Sequence, residues 1–511
     1  MEITSFHEEI KSEIVTVIQC SKNFIKINDT YYLLILGITE NKKSIYIRLF
    51  VNNQYYENFF PDAYDPIKYN GYLKNIMNGN YSVNFEKYRP VCNLFIGYYF
   101  ILIKMHYSFV KIKNIENMEF NFNEEVIKEG KAFDLSNTYF NNEDFSKLCK
   151  IKLKAEIINL ENNEISDLSN IEPENFKLLN NLNLSRNKIE DLGPLRNIKL
   201  DNLKTLNLCF NAIEDINSLE QAKLINLEIL YLSRNNISDI SVFESVNYDN
   251  LLKLYLSDNK ITDVSPLENV NLPKLNELNL SNNKINDFST FEKVSLNSLE
   301  NLDLSNNEIV LIEIRKKLVF KQLKYIDLRQ NKIKKIDIKG RLQLFKLKKI
   351  YLNSNVIEII NITKLQKLNK LSELYLNNNN INDITFLDNL ELKNLRKLDL
   401  TYNKIQNINS LGELDSKFIS SLDLSNNQIS DIKALKKMSL KNLSYLHLSD
   451  NRITSIRPLE NLDIPKIKII SLSRNNIDSL LQKNADIIDN LCKKYPQINY
   501  WLKGGYYYLG Y

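Results

Sequence analysis

The chain has 511 residues, of which 43% are hydrophobic and 25% charged, with a formal net charge of +5 at neutral pH. This excludes a disordered polypeptide and fits a folded one, long enough for several domains or one extended repeat array. A charge this small for the length argues neither for nor against nucleic acid as a partner.

From the N-terminus, Met1 to Glu9 shows no basic segment leading into an apolar stretch, so no secretory signal is visible. Glu8 to Ile18 has the spacing of a helix, while Phe24 to Asn28 and Ser44 to Val51 alternate as strands do. The most apolar segment, Leu94 to Met105, is interrupted by Lys104. It is shorter than the roughly 20 residues a spanning helix needs, so a buried strand or helix is expected. Residues 1–140 carry no repeat and are read as a separate N-terminal α+β domain of no recognised family. Residues 141–160 are read as an N-terminal cap and first coil, because Phe133-Asp134-Leu135 and Phe145 to Leu148 look like a degenerate first turn of a repeat array.

A repeat then takes over. Fourteen asparagines stand 24 residues apart without insertion or deletion: Asn163, Asn187, Asn211, Asn235, Asn259, Asn283, Asn307, Asn331, Asn355, Asn379, Asn403, Asn427, Asn451 and Asn475. Leu stands three residues before every one and Ile two residues after. In the segment Leu275-Asn-Glu-Leu278-Asn-Leu280-Ser-Asn-Asn283-Lys-Ile285, Leu278 and Leu280 alternate with exposed positions and face one side of a short strand. Successive strands stack in parallel about 4.8 Å apart. The chain must turn after each strand, and the Asn amide has both the donor and the acceptor needed by backbone groups that no ladder satisfies. The fourteen asparagines are therefore expected to form a structural ladder over repeats spanning 155–482.

Most repeats place Asp four residues after the Asn and an apolar residue eight after it. The repeats starting at Asn307, Asn331 and Asn355 break both rules. They carry Leu311, Lys335 and Ile359, then Arg315, Lys339 and Thr363, with Ile314, Ile338 and Ile362 at plus seven. A different return conformation is expected there. At the end, Ala485 to Lys494 has helical spacing, Pro496 stops it, and an aromatic tail comes after (Tyr500, Trp501, Tyr506, Tyr507, Tyr508); residues 483–511 are read as a C-terminal cap.

The LxxLxLxxNxI pattern is that of leucine-rich repeats. The second half of each repeat, as in Ile237-Ser-Asp239-Ile240 and Ile429-Ser-Asp431-Ile432, resembles the short-repeat type found in internalins and some protein phosphatase regulators. The resemblance implies an α/β-type leucine-rich repeat solenoid, a curved parallel sheet lining its concave face, that binds proteins through that face. It implies no particular ligand.

No enzyme chemistry stands out. The three histidines, His7, His106 and His447, are far apart, and no phosphate loop, HExxH or GxSxG occurs. Cys20, Cys92, Cys149, Cys209 and Cys492 are scattered without a CxxC pair, so neither a disulfide framework nor a metal site is expected, and reduced thiols in the cytoplasm fit. No cofactor is expected. Two features remain. The strand position four residues before each Asn faces the concave side and reads Asn159, Asn183, Asn207, Tyr231, Tyr255, Asn279, Asp303, Asp327, Tyr351, Tyr375, Asp399, Asp423, His447, Ser471. Tyrosine contributes much at protein interfaces for little lost entropy, so this column is the expected partner-binding strip, suited to a partner with a basic segment. Residues 315–349 hold fourteen Lys and Arg against Asp327 and Asp337. Within them Arg315, Lys316, Lys317, Lys335, Lys339 and Arg341 form a basic docking patch for an acidic protein, an anionic membrane or nucleic acid. The function expected is a protein-binding scaffold or adaptor. An exported effector or adhesion protein using the same face, and an enzyme active in residues 1–140, are the alternatives.

Overall fold

The computed structural model describes residues 17–27, 30–39, 44–51, 54–61, 120–121, 132–136, 140–150, 154–172, 176–198, 200–222, 224–477 and 482–501. The chain divides into two compact units, Met1–Asn187 and Lys188–Tyr511.

In the first unit, strands β1 (Val17–Ile27), β2 (Thr30–Thr39), β3 (Ser44–Val51) and β4 (Gln54–Pro61) form an antiparallel meander, and β5 (Phe120–Asn121) pairs parallel with β1. Phe24 to Ile27 of the alternating Phe24 segment lie in β1, Asn28 lies outside the described residues, and Ser44–Val51 is β3. Val17 and Ile18, expected to end a helix, begin β1 instead. Residues 8–16 and 94–105 lie outside the described residues. β2 escaped the alternation rule because its centre is a continuous apolar run from Leu33 to Leu36. The same unit holds the first coils, whose strands Ala132–Asp134, Ile157–Asn159 and Asn181–Asn183 pair in parallel. Helix α1 (Asn142–Cys149) comes after the first of these strands. Asn141 and Asp144 cap it reciprocally, each side chain accepting from the other's backbone N–H, and it buries Phe145, Leu148 and Cys149.

In the second unit, three-residue strands from Thr205–Asn207 to Asn499–Trp501 stack in parallel, and through Ile469–Ser471 each residue pairs with the one 24 positions on, as in Leu230↔Leu254. From Thr205–Asn207 to Ile469–Ser471 the central residue of each triplet is Leu or Ile and points inward, buried in all but the half-buried Ile350, while most of its neighbours are half-buried on the opposite face. The asparagines lie directly behind the strands. Asn283 is typical: its Nδ2 donates to Leu256 O (3.0 Å), Leu280 O (3.1 Å) and Ser281 O (3.2 Å), and its Oδ1 accepts from Ile261 N (3.0 Å). One side chain thus satisfies backbone groups of its own coil and of the coil before it. The residue ahead of each asparagine, from Asn162 to Arg474, has a positive φ between 51° and 58°. That is the left-handed region, and no glycine supplies it at these positions.

The return segment of a regular coil is a short 3₁₀ turn, such as Ser265–Glu268. The aspartate four residues after the ladder Asn starts it. Asp263 Oδ1 accepts from Ser265 N (2.8 Å) and Oδ2 from the Ser265 hydroxyl (2.9 Å), and Leu267 at plus eight is buried. Where Asp is replaced by Leu311, Lys335 and Ile359, the turn gives way to parallel strands Leu311–Ile314, Lys335–Ile338 and Ile359–Ile362, joined as one three-stranded sheet. The isoleucines Ile314, Ile338 and Ile362 point inward and replace the plus-eight residue as core. A further pair of strands, Lys317–Val319 and Arg341–Gln343, lies past the corner at Gly340. The expected change of conformation is therefore a switch from 3₁₀ turn to strand, made by losing a cap and gaining β-branched residues.

At the C-terminus, helix α2 (Gln482–Lys494) and Asn499–Trp501 close the array. The Tyr495 hydroxyl donates to Leu462 O (2.8 Å) and accepts from Ile464 N (3.1 Å), pinning the helix end to the last coils.

Candidate functional site on the sheet face

The exposed face of the strands is where side chains are displayed at fixed spacing without helical cover. Tyr231 and Tyr255 occupy paired positions on neighbouring strands and stack with centroids 4.8 Å apart and 4° between planes. Tyr351 and Tyr375 do the same at 4.9 Å and 12°. Parallel stacking at the strand spacing joins each pair into one aromatic platform. Between the platforms stand Asn279, Asp303 and Asp327; beyond the second stand Asp399, Asp423 and His447.

Neighbouring aspartates repel each other, and the hydrogen bonds supply a structural reason for their presence. Asp303, Asp327, Asp399 and Asp423 each accept from the backbone N–H two residues on, as Asn207 and Asn279 do, closing the turn after the strand. The tyrosines cannot make that bond, so their two pairs give up the turn contact. Burial holds the Asp327 carboxyl above its ordinary range, with Arg329 (2.6 Å away) and its backbone N–H pulling the other way. Burial likewise raises Asp423, opposed by the Ser425 N–H and by His447. Among the described residues, Asp303, Asp399 and Asp423 form no ion pair.

A second column, two residues earlier on the same face, was not picked out from the sequence, although the same period-two rule reaches it. It carries Lys253 against Glu277 (3.1 Å), Lys349 against Glu373 (3.0 Å) and Lys397 over the Tyr375 ring (4.7 Å). Tyr375 donates its hydroxyl to Glu373 Oε2 (2.7 Å), and burial with that carboxylate keeps the phenol protonated well above its usual range; Tyr255 is held the same way by burial and Glu277. Arg329 lies 5.3 Å over the Tyr351 ring. Arg329 and Lys397 thus close the two ends of the second tyrosine stack. His447 Nδ1 lies 3.1 Å from the Ser471 hydroxyl and its ring runs parallel to Tyr445.

The basic stretch does not form a single patch. Lys324, Arg329 and Lys349 flank the sheet face and pair with Glu300, Asp327 and Glu373. On the return side, Arg315 pairs with Glu313 (2.8 Å), Lys335 with Asp337 (2.9 Å), and Lys339 with both acids (3.6 and 3.4 Å). Lys316, Lys317 and Arg341 are exposed on the corner and third strand. Among the described residues no cluster of His, Cys, Asp or Glu is arranged to hold a metal ion.

Parallel three-residue strands, an asparagine ladder and short return segments define a solenoid of repeats with one open sheet face. Leucine-rich repeat models match residues 201–245, 249–293, 321–381, 391–408 and 417–461, and the chain is a leucine-rich repeat protein. Among solved structures, a leucine-rich repeat protein of Leptospira interrogans is similar over 74% of this chain and 97% of its own, at 22% identity and a TM-score of 0.52, which shows the same fold. An internalin of Listeria monocytogenes matches 72% of this chain and 94% of its own at 25% identity and a TM-score of 0.46, and internalin C2 of the same organism matches 39% and 79% at 28% and 0.31. No curated protein matches the chain significantly in sequence.

Proposed function

We propose that this protein is a binding scaffold or adaptor, not an enzyme, and that it holds a protein partner on the sheet face of its repeats. The observation that carries the reading is the two stacked tyrosine pairs with unpaired aspartates beside them. Aromatic platforms take apolar or cationic side chains, and carboxylates without a cation favour a basic neighbour. The partner is therefore a segment with apolar anchors and Lys or Arg between them. Five scattered cysteines without a CxxC pair fit a reducing compartment, the cytoplasm, for this adaptor.

The test is affinity capture with the full chain, then titration of the captured partner. Tyr351→Ala with Tyr375→Ala should cost roughly 2 kcal/mol or more of binding with the melting temperature nearly unchanged. Lys436→Ala, on the exposed return turn Lys433–Lys437, should do neither. Normal binding by the tyrosine variant together with loss in Lys436→Ala would move the recognition surface to the opposite side.

A further inference from the structure

In the three irregular coils the chain makes strands on three sides, and the third side carries an arrangement independent of the sheet face. Lys317 and Arg341 are register partners on adjacent strands, about 4.8 Å apart, with both side chains exposed and Leu318 inward between them and the core. Lys316 and Lys364 lie at the corner before this side, Lys321 and Lys346 in the turns after it, and all four are exposed. Lys346 donates to Gln322 Oε1, which fixes it beside the preceding coil. Among the described residues, none of these six cations forms an ion pair. The nearby acids Glu313 and Asp337 are committed to Arg315, Lys335 and Lys339.

Two large apolar side chains stand among the cations. Phe345, in the turn after Arg341–Gln343, is 58% exposed, and so is Leu365. Leu365 is held next to the Arg341 strand by its neighbour Gln366, whose buried amide accepts from Leu342 N (2.8 Å) and donates to Gly340 O (2.9 Å). The tight corner is enforced by Gly340, where an added Cβ would lie 2.2 Å from Lys316 O. A rigid scaffold thus presents two apolar tips ringed by like charge. A folded protein gains nothing by exposing Phe and Leu among repelling cations. Polyanions such as nucleic acid would satisfy the charge but would not bury both tips. An anionic lipid surface satisfies both demands at once, with headgroups against the cations and the tips in the interfacial layer.

We infer that this side of the irregular coils docks the protein on an anionic membrane surface. The Lys316, Lys317, Lys321, Arg341, Lys346 and Lys364 cluster supplies the attraction. Phe345 and Leu365 supply the shallow insertion.

The experiment is co-sedimentation of the full chain with phosphatidylcholine vesicles, with and without phosphatidylserine, alongside retention on a heparin column. The chain should associate with the phosphatidylserine vesicles alone and come off as salt rises. Lys317→Ala with Arg341→Ala should weaken partitioning about fivefold for each charge removed and shorten heparin retention. Phe345→Ser with Leu365→Ser should weaken vesicle partitioning about tenfold and leave heparin retention unchanged. Both variants must keep the parental melting curve; if either does not, Phe345→Gln and Lys317→Gln singly give the same two contrasts. No association with phosphatidylserine vesicles at low salt overturns the inference. So does heparin or oligonucleotide binding without vesicle binding, which would make the occupant a soluble polyanion, and so does vesicle binding that the apolar variant retains in full.

Discussion

Each coil rests on a few side chains that serve the backbone. A ladder asparagine replaces three water contacts with three carbonyls and takes one N–H from the coil before it. Asn283→Ala should therefore cost on the order of 1–3 kcal/mol in chemical denaturation, and Asn276→Ala, a half-buried strand-edge position, no more than about 0.5. Equal small losses at both would refute the ladder's energetic role. The residue before the ladder is strained in the opposite sense. Tyr402 sits at φ 51° with an exposed ring, and Asn tolerates that region better, so Tyr402→Asn should raise stability by about 0.5–1 kcal/mol. Asp423 is a third case. Its folded pKa is raised by burial, so the folded state takes up a proton more readily than the unfolded one, and the charged form works against folding at neutral pH. Asn at this position makes the same turn bond in other coils. Asp423→Asn should stabilise at pH 7, and the gain should shrink as pH falls into the carboxylate range. A gain that grows on acidification would mean the charge is held by His447 more strongly than burial opposes it. The ladder was legible in the sequence because it repeats in strict register. The left-handed residue before it was not, because Asn, Arg, Phe, Asp, Gln, Ser and Tyr all occupy that position.

The return segment decides what kind of coil forms, and two residue choices decide the return segment. Asp at plus four caps a 3₁₀ turn and Leu or Phe at plus eight fills its core. Removing the cap with Asp263→Ala should lower stability by about 1 kcal/mol, the usual worth of a capping bond. Where the cap is absent and isoleucines fall at plus five and plus seven, alternation wins and a strand forms. The sequence marked these three repeats as different through the joint loss of Asp and Leu. That the replacement is a strand, and that a third strand lies past the corner, depended on backbone approach at one glycine. Gly340→Ala has to displace the Lys316 carbonyl, so it should cost about 2–3 kcal/mol, far above the few tenths expected of an exposed turn glycine. Unchanged stability would mean that the corner relaxes freely and that the side carrying Lys317 and Arg341 is not rigid.

Across the array the strand register turns a list of residues into a ruler. The two tyrosine platforms are separated by four strand steps, from the Tyr255 strand through those of Asn279, Asp303 and Asp327 to that of Tyr351. At about 4.8 Å per step this is roughly 19 Å, and an extended partner rising about 3.3 Å per residue covers it in about six residues. The periodicity alone placed the tyrosines and aspartates on one face; it could not show that the rings stack, that Lys397 and Arg329 brace them, or that the aspartates also close turns. Those facts fix what a partner meets. A segment running along the array should set one apolar anchor on each platform and place its Lys or Arg over Asp303, with a further cation reaching Asp399 or Asp423. Synthetic peptides with aromatic anchors six residues apart and lysines between them should bind more tightly than the same peptides with anchors three or nine apart. Spacing two anchors correctly lets the second bind intramolecularly, so the preference should be tenfold or more. Tyr231→Ala with Tyr255→Ala, and Tyr351→Ala with Tyr375→Ala, should each abolish that preference while leaving weak single-anchor binding. If peptides of every spacing bind alike, and lose affinity alike when either pair is removed, the platforms act as separate sites and the ruler is not read. If none binds and the captured partner is indifferent to both tyrosine pairs, the sheet face itself is the wrong surface.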